Sequence, residues 1–275
     1  MKTIIIGGVA AGTKVAAKLK RETPQDEIVI YTKGKDISYA GCGLPYYIGG
    51  AIETEEELIV NTPAKFMGLT GAEVHTGCEV AAVDPAGKTV TIGKDGEKPV
   101  SYDRLVIAVG AEPSVPPVDG TGLSGVFTVR TPEDAIGARK YAVENGCKRA
   151  VVVGGGFIGL EVAENLMARG IAVTVMDMAP QLMPNIFDQE MADYVRRQLQ
   201  GKGLCILTGT ALLAIEGEGK VENVRTGAGT LPADMVVLAA GIRPATGFLK
   251  DTGLEMERGC IVTDECQRTN LPDIY

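Results

Sequence analysis

The sequence predicts an α/β protein of two parallel-sheet units, each with an antiparallel excursion, the second inserted into the first. Three observations predict it. A β-branched run that ends in glycines and leads into a helical pattern occurs twice, as "TIIIGGVAAG" from Thr3 to Gly12 and "AVVVGGGFIG" from Ala150 to Gly159. A second apolar run closes each half with Ala-x-Gly-x-x-Pro, in "LVIAVGAEP" and "VVLAAGIRP". Between the members of each pair lies alternating material punctuated by Gly and Pro, the pattern of antiparallel strands.

Taken in order, "TKVAAKLKRE" after the first loop sets Val15, Ala16 and Leu19 on one helical face, and "EIVIY" (Glu27 to Tyr31) reads as the next strand. After the second loop, "LEVAENLMARG" sets Leu160, Ala163, Leu166 and Met167 on one face, with Gly170 as the stop. "IAVTVMD" (Ile171 to Asp177) is the strand that follows. Two strand–glycine loop–helix–strand units are the starts of two Rossmann-like dinucleotide-binding domains. The antiparallel excursions are "EVAAVDPAGKTVTIGKDGEKPVSYD" and "AIEGEGKVENVRTGAGTLPAD". The expected boundaries are 1–112 for the first domain, 113–243 for the second, and 244–275 for an incomplete return to the first.

The length of 275 residues fits about two domains. Hydrophobic content of 45% with 5% aromatics and 36 glycines fits cores of Val, Ile, Leu and Ala. A formal charge of −8 argues against nucleic acid and anionic membrane as partners. No apolar run approaches the roughly 18 residues that cross a bilayer. Lys14 and Lys18 interrupt the N-terminal apolar stretch, so it reads as mature protein rather than a signal peptide. The six cysteines are scattered, with no C-x-x-C and no cluster of metal-ligand spacing. Reduced thiols in a cytoplasm are the expectation.

In a G-x-G-x-x-G loop the first glycine makes the turn, the second admits a pyrophosphate, and the third lets helix and strand pack closely. Gly154, Gly156 and Gly159 match that pattern between a strand and a helix, with Phe157 and Ile158 inside the loop. Asp177 ends the next strand, where an acid meets an adenosine ribose and repels a 2′-phosphate. This favours NADH over NADPH. The first loop has Gly7, Val9, Ala10 and Gly12, and its second strand ends at Thr32 and Lys33, without an acid.

One further stretch stands apart. "SYAGCGLPYYIGG" places Cys42 between two glycines, with no second cysteine a few residues away. An ordinary thiol is only a few per cent thiolate at pH 7, and a helix N-terminus beside it raises that fraction.

These segments, together with "YDRLVIAVGAEPSVPP", "VTVMDMAPQLMP" and the run from Val236 to Tyr275, resemble the pyridine nucleotide–disulfide oxidoreductases. Within that family they resemble the single-cysteine branch of coenzyme A-disulfide reductases, NADH oxidases and NADH peroxidases. The resemblance covers essentially the whole chain in the family's order. It implies FAD on the first loop, NADH or NADPH on the second, and Cys42 as the redox cysteine. It also places the strand ends with Ala108, Gly110 and Gly241 among the cofactor-binding positions. Glu161 resembles the glutamate that faces the flavin, although it also reads as a first-turn acid favoured by the helix dipole. Phe157 occupies the position of the aromatic that covers the flavin, or packs helix on sheet. His75, the lone histidine, reads as structural.

The implied activity is flavin-dependent reduction of a small disulfide or persulfide, coenzyme A disulfide foremost, by NAD(P)H. Competing readings are NADH oxidase or peroxidase chemistry through a Cys42 sulfenate, and a nucleotide-binding module without catalysis. Ala10 stands where oxidase and peroxidase relatives carry a histidine, which favours the thiol substrate. Gly41 stands in place of an Asn, and Thr32 in place of the usual acid. The chain ends just before the family's Ala-x-Gly-Asp segment and the C-terminal domain through which full-length members form homodimers, so truncation is expected.

Overall fold

In the computed structural model the structure describes residues 1–93 and 98–275. Along the chain come β1 (Lys2–Ile6), α1 (Ala10–Glu22) and β2 (Glu27–Tyr31), then a 3-10 turn at Gly41–Gly43, α2 (Leu44–Gly49) and α3 (Pro63–Thr70). Next are β3 (Glu73–His75), β4 (Val80–Asp84), β5 (Thr89–Ile92), β6 (Lys98–Ser101), β7 (Arg104–Ile107) and the short β8 (Ala111–Pro113). β9 (Val126–Phe127), α4 (Pro132–Glu144), β10 (Arg149–Val153), α5 (Phe157–Ala168), β11 (Ala172–Met176), α6 (Gln189–Gly201) and β12 (Cys205–Leu207) follow. Then come β13 (Leu212–Glu216), β14 (Asn223–Thr226), β15 (Gly229–Pro232) and β16 (Met235–Leu238). The short strands β17 (Ile242–Pro244), β18 (Met256–Glu257) and β19 (Cys260–Ile261) complete the elements.

The chain divides into two compact units. One holds Met1–Tyr39, Ile59–Glu112 and Arg243–Tyr275; the other holds Ala40–Leu58 and Pro113–Ile242. In the first, a parallel sheet runs in the order β3-β2-β1-β7. Its strands alternate between two buried faces, because successive strand side chains point to opposite sides. Ile4, Ile6, Val29, Tyr31 and Leu105 pack with Val80, Val83 and Val90 of the antiparallel sheet β4-β5-β6 and with Leu249, Leu254 and Ile274. Ile5, Ile28 and Ile30 pack with Ala16 of α1 and Phe66 of α3 on the other side. Both antiparallel excursions form as expected, although the connection at 94–97 within the first lies outside the described residues. The end of the chain packs in the first unit, where the Leu105 N–H donates to the Asp273 carbonyl and the Tyr275 N–H to that of Leu105.

The second unit repeats the plan. Its parallel sheet has the order β12-β11-β10-β16-β9, and the antiparallel sheet β13-β14-β15 covers one face. Val151, Val153, Met176, Val236 and Leu238 meet Ile215 and Val224 there. α4 begins at a capping box, in which Thr131 and Asp134 satisfy each other's backbone N–H and Pro132 opens the first turn. Both units are therefore Rossmann-like, parallel sheets each with an antiparallel excursion.

Residues 40–58, which the sequence assigns to the first domain, pack in the second unit. The cause is α2. Leu44, Pro45, Tyr47 and Ile48 are buried, and the helix lies on α4 and α5. Gly49 makes the approach to α5 possible, since a Cβ there would sit 2.8 Å from that of Asn165.

Candidate functional site

The two glycine loops share the roles of their first and third glycines. Gly7 and Gly154 turn the chain out of β1 and β10 at φ +111° and +119°, a region that side chains avoid. A Cβ on either would collide with the end of the neighbouring strand, β7 or β16, 2.7 Å from the Ala108 carbonyl carbon and 2.6 Å from that of Ala239. Gly12 and Gly159 lie under the loops, where a Cβ would run into the carbonyls of Gly7 and Gly154. Those are the roles expected of a first and a third fingerprint glycine.

The middle positions differ. Gly156 is the N-cap of α5 in extended conformation, and a Cβ there would meet nothing within 4 Å. Its backbone is open to a ligand. Val9 occupies the matching place before α1. Neither helix has a side-chain cap, and neither first turn carries an acid. The free N–H groups and positive helix ends are left for an anion, so both loops fit the pyrophosphate of a dinucleotide.

The strand ends next to the loops differ as well. Asp177 Oδ2 accepts the Gly155 N–H at 2.7 Å, and Oδ1 accepts the Ala179 N–H at 2.8 Å. The carboxylate is thereby fixed against its own loop with acceptor capacity to spare for ribose hydroxyls. In the first unit the buried, uncharged Thr32 faces Gly8 as Asp177 faces Gly155. Lys33 is exposed and pairs with Glu79 at 3.1 Å. The ends of β7 and β16 again match: Gly110 and Gly241 both have positive φ, and the Ala108 and Ala239 N–H groups donate to Ile6 and Val153.

Cys42 sits in the Gly41–Gly43 turn directly before α2, and its side chain is exposed. The two flanking glycines are not alike. A Cβ on Gly41 would meet nothing, whereas one on Gly43 would lie 3.0 Å from Ile52 Cδ1, so the turn is open at Gly41 and packed against Ile52 at Gly43. Cys78 is half-buried, and Cys205, Cys260 and Cys266 are exposed. Burial pushes the Cys147 thiol pKa up, which leaves it inert.

Glu161 is half-buried on α5, beyond the first turn, so the reading as a first-turn acid does not hold. Phe157 and Ile158 project from the start of α5 with 55% and 42% of their surfaces exposed, so Phe157 is not a helix–sheet packing residue. Ala10 is an exposed first residue of α1. His75 is on the edge strand β3, stacked on Tyr31 with ring centroids 5.0 Å apart and its Nε2 2.7 Å from a Glu73 oxygen. Sequence reasoning missed Arg139 of α4, whose Nη1 donates to the carbonyls of Tyr47, Ile52 and Glu53 at 3.3, 3.1 and 3.0 Å.

Among the described residues no helix is long and apolar enough to cross a membrane, and no group of three or more His, Cys, Asp or Glu side chains could hold a metal.

Comparison with known proteins agrees with this geometry. The chain is 40% identical to a protein of Methanocaldococcus jannaschii named NADH oxidase, over all of this chain and 62% of that one. It is 37% identical to a CoA-dependent NAD(P)H sulfur oxidoreductase of Pyrococcus abyssi, over 99% of this chain and 60% of that one. The structure of an NAD-dependent persulfide reductase from A. fulgidus superimposes with a TM-score of 0.96 at 36% identity, over all of this chain and 52% of that one. The chain thus spans about three fifths of the length of the curated relatives it matches. Residues 1–275 match the family described as pyridine nucleotide-disulphide oxidoreductase. With both glycine loops, their paired strand ends and the Gly-flanked Cys42 in its order, the chain belongs to the pyridine nucleotide-disulphide oxidoreductase family.

Proposed function

We propose that this chain is the nucleotide-binding part of an NAD(P)H-dependent flavoprotein that reduces a small disulfide or persulfide, coenzyme A disulfide foremost, through Cys42. The observation that carries the reading is the exposed Cys42 thiol on a turn backed by Ile52, without a disulfide partner. Gly154, Gly156 and Gly159 with Asp177 hold the nicotinamide nucleotide, and Asp177 selects NADH by repelling a 2′-phosphate. Gly7, Gly12 and the N–H groups at the start of α1 would hold the FAD pyrophosphate. Bound FAD supplies the two-electron relay between nicotinamide and sulfur.

The chemistry at Cys42 balances simply. The thiolate attacks the substrate disulfide, forms a mixed disulfide with one half and releases the other as a thiolate. Two electrons then break the mixed S–S bond, the released small thiol takes up a proton, and Cys42 returns as thiolate. Phe157, projecting from the start of α5, stands where an aromatic would cover bound flavin until the nicotinamide displaces it.

The test is an anaerobic assay of FAD-loaded protein with NADH and coenzyme A disulfide. Cys42→Ser keeps NADH-dependent bleaching of the flavin and loses disulfide reduction; disulfide turnover at the wild-type rate in that variant refutes the proposal. The name of the Methanocaldococcus relative favours a second reading, oxygen or peroxide reduction through a Cys42 sulfenate. NADH-dependent oxygen uptake that exceeds coenzyme A disulfide turnover selects it.

A further inference from the structure

The turn that carries Cys42 has little to hold it from within. α2 is only six residues long, well below the length at which a helix persists alone in water. Its position is therefore set by tertiary contacts. At its C-terminal end Gly50 adopts φ +89° and donates to Tyr46 and Tyr47 carbonyls, which closes the helix but anchors it to nothing else. The buried side chains of α2 pack on α4 and α5, and Arg139 adds a polar anchor to α4. Besides its bonds to the carbonyls of Tyr47, Ile52 and Glu53, its guanidinium carbon lies 4.5 Å from the centre of the Tyr47 ring. No described carboxylate pairs with it. The cation is instead committed to carbonyl dipoles and a π-face at the negative end of α2, where a positive charge is favoured. Ile52, one of the three acceptors, is also the side chain that backs Gly43 next to the thiol.

We infer that Arg139 is a positioning residue for Cys42: it ties the end of α2 and the Ile52–Glu53 loop to α4 and so fixes the orientation of the thiol. The inference deepens the proposed function and rests on it for its catalytic meaning. Arginine suits the place because Nη1 donates to the carbonyls while the flat guanidinium lies over the Tyr47 ring; an ammonium has donors enough for the carbonyls but no flat face to set on the ring.

The test measures alkylation of each cysteine by iodoacetamide between pH 6 and 9, read by peptide mass spectrometry on the whole chain, in wild type, Arg139→Ala and Arg139→Lys. Cys205 and Cys266 serve as exposed internal controls. In Arg139→Ala the Cys42 rate changes by about threefold or more, while those of the two controls hold; Arg139→Lys, which keeps the charge, changes it less. A Cys42 profile in Arg139→Ala that overlays the wild type, with or without a fall in melting temperature, overturns the inference. If Arg139→Ala does not fold, Arg139→Lys alone decides: an unchanged Cys42 profile overturns the inference, and a changed one with steady controls supports it. The readout does not use turnover. Retained disulfide reduction in Cys42→Ser therefore sinks the proposed function without touching the result on Arg139.

Discussion

Replacing Gly156 or Gly159 with alanine adds the same methyl group three residues apart, and the structure predicts opposite consequences. At Gly159 the methyl would lie 3.1 Å from the Gly154 carbonyl carbon and nearer still to its oxygen, between a helix and the loop above it. Overpacking of that kind costs about 1–3 kcal/mol, against the ~1 kcal/mol by which a helix prefers alanine. The net loss lowers the melting temperature by a few degrees. At Gly156 the backbone has φ −86° and ψ −174°, open to any residue, and the methyl would touch nothing. The fold loses at most about 1 kcal/mol from a poorer N-cap. A bound pyrophosphate, however, would meet the methyl. Losing one charge-assisted hydrogen bond of about 1.5–3 kcal/mol weakens NADH roughly tenfold to a hundredfold. Thermal melts with NADH titrations followed by nicotinamide fluorescence separate the two effects. A Gly156→Ala protein that is folded and binds NADH with wild-type Kd refutes the assignment of the second loop.

Three other expectations follow the same geometry. Asp177→Asn removes the charge that repels a 2′-phosphate, so the ratio of NADH to NADPH affinity falls, mainly through tighter NADPH; paired titrations check this. Gly49→Ala drives a methyl into Asn165 where α2 meets α5, and destabilises by about 1–3 kcal/mol, measured by urea unfolding. Asp234 accepts Arg149 Nη2 at 2.7 Å and the N–H groups of Lys148 and Arg149, and the Arg149 hydrogen bond holds its carboxyl below the ordinary 3.8. Because its folded pKa is depressed, the stabilisation is full above the unfolded value and fades as pH falls through the folded one. Asp234→Ala should therefore be less stable by about 1–2 kcal/mol at pH 7, and the gap should close below pH 3.8.

The duplicated plan was legible because its signals are local. Glycines at Gly7, Gly12, Gly154 and Gly159 mark places where any Cβ would strike a carbonyl, and β-branched runs before them mark the strands. Asp177 was legible as a strand-end acid, but not its two bonds to the loop backbone, which depend on how β11 and the glycine loop come together. The placement of residues 40–58 was not legible. It follows from Gly49 against Asn165 and from Arg139, whose acceptors lie 86 to 92 residues earlier in the chain. An arginine in an amphipathic helix looks solvent-directed until its distant carbonyls are known. Glu161 was misread as a first-turn acid because α5 starts at Phe157, which puts Glu161 one residue too far along.

The most direct test of the whole account is where a small thiol lodges on the protein. Peptide mass spectrometry of the FAD-loaded chain after exposure to coenzyme A disulfide, before and after anaerobic NADH, reads this out. The account predicts a coenzyme A adduct on Cys42 that NADH removes. An adduct confined to Cys205, Cys260 or Cys266, or one on Cys42 that NADH leaves in place, contradicts it.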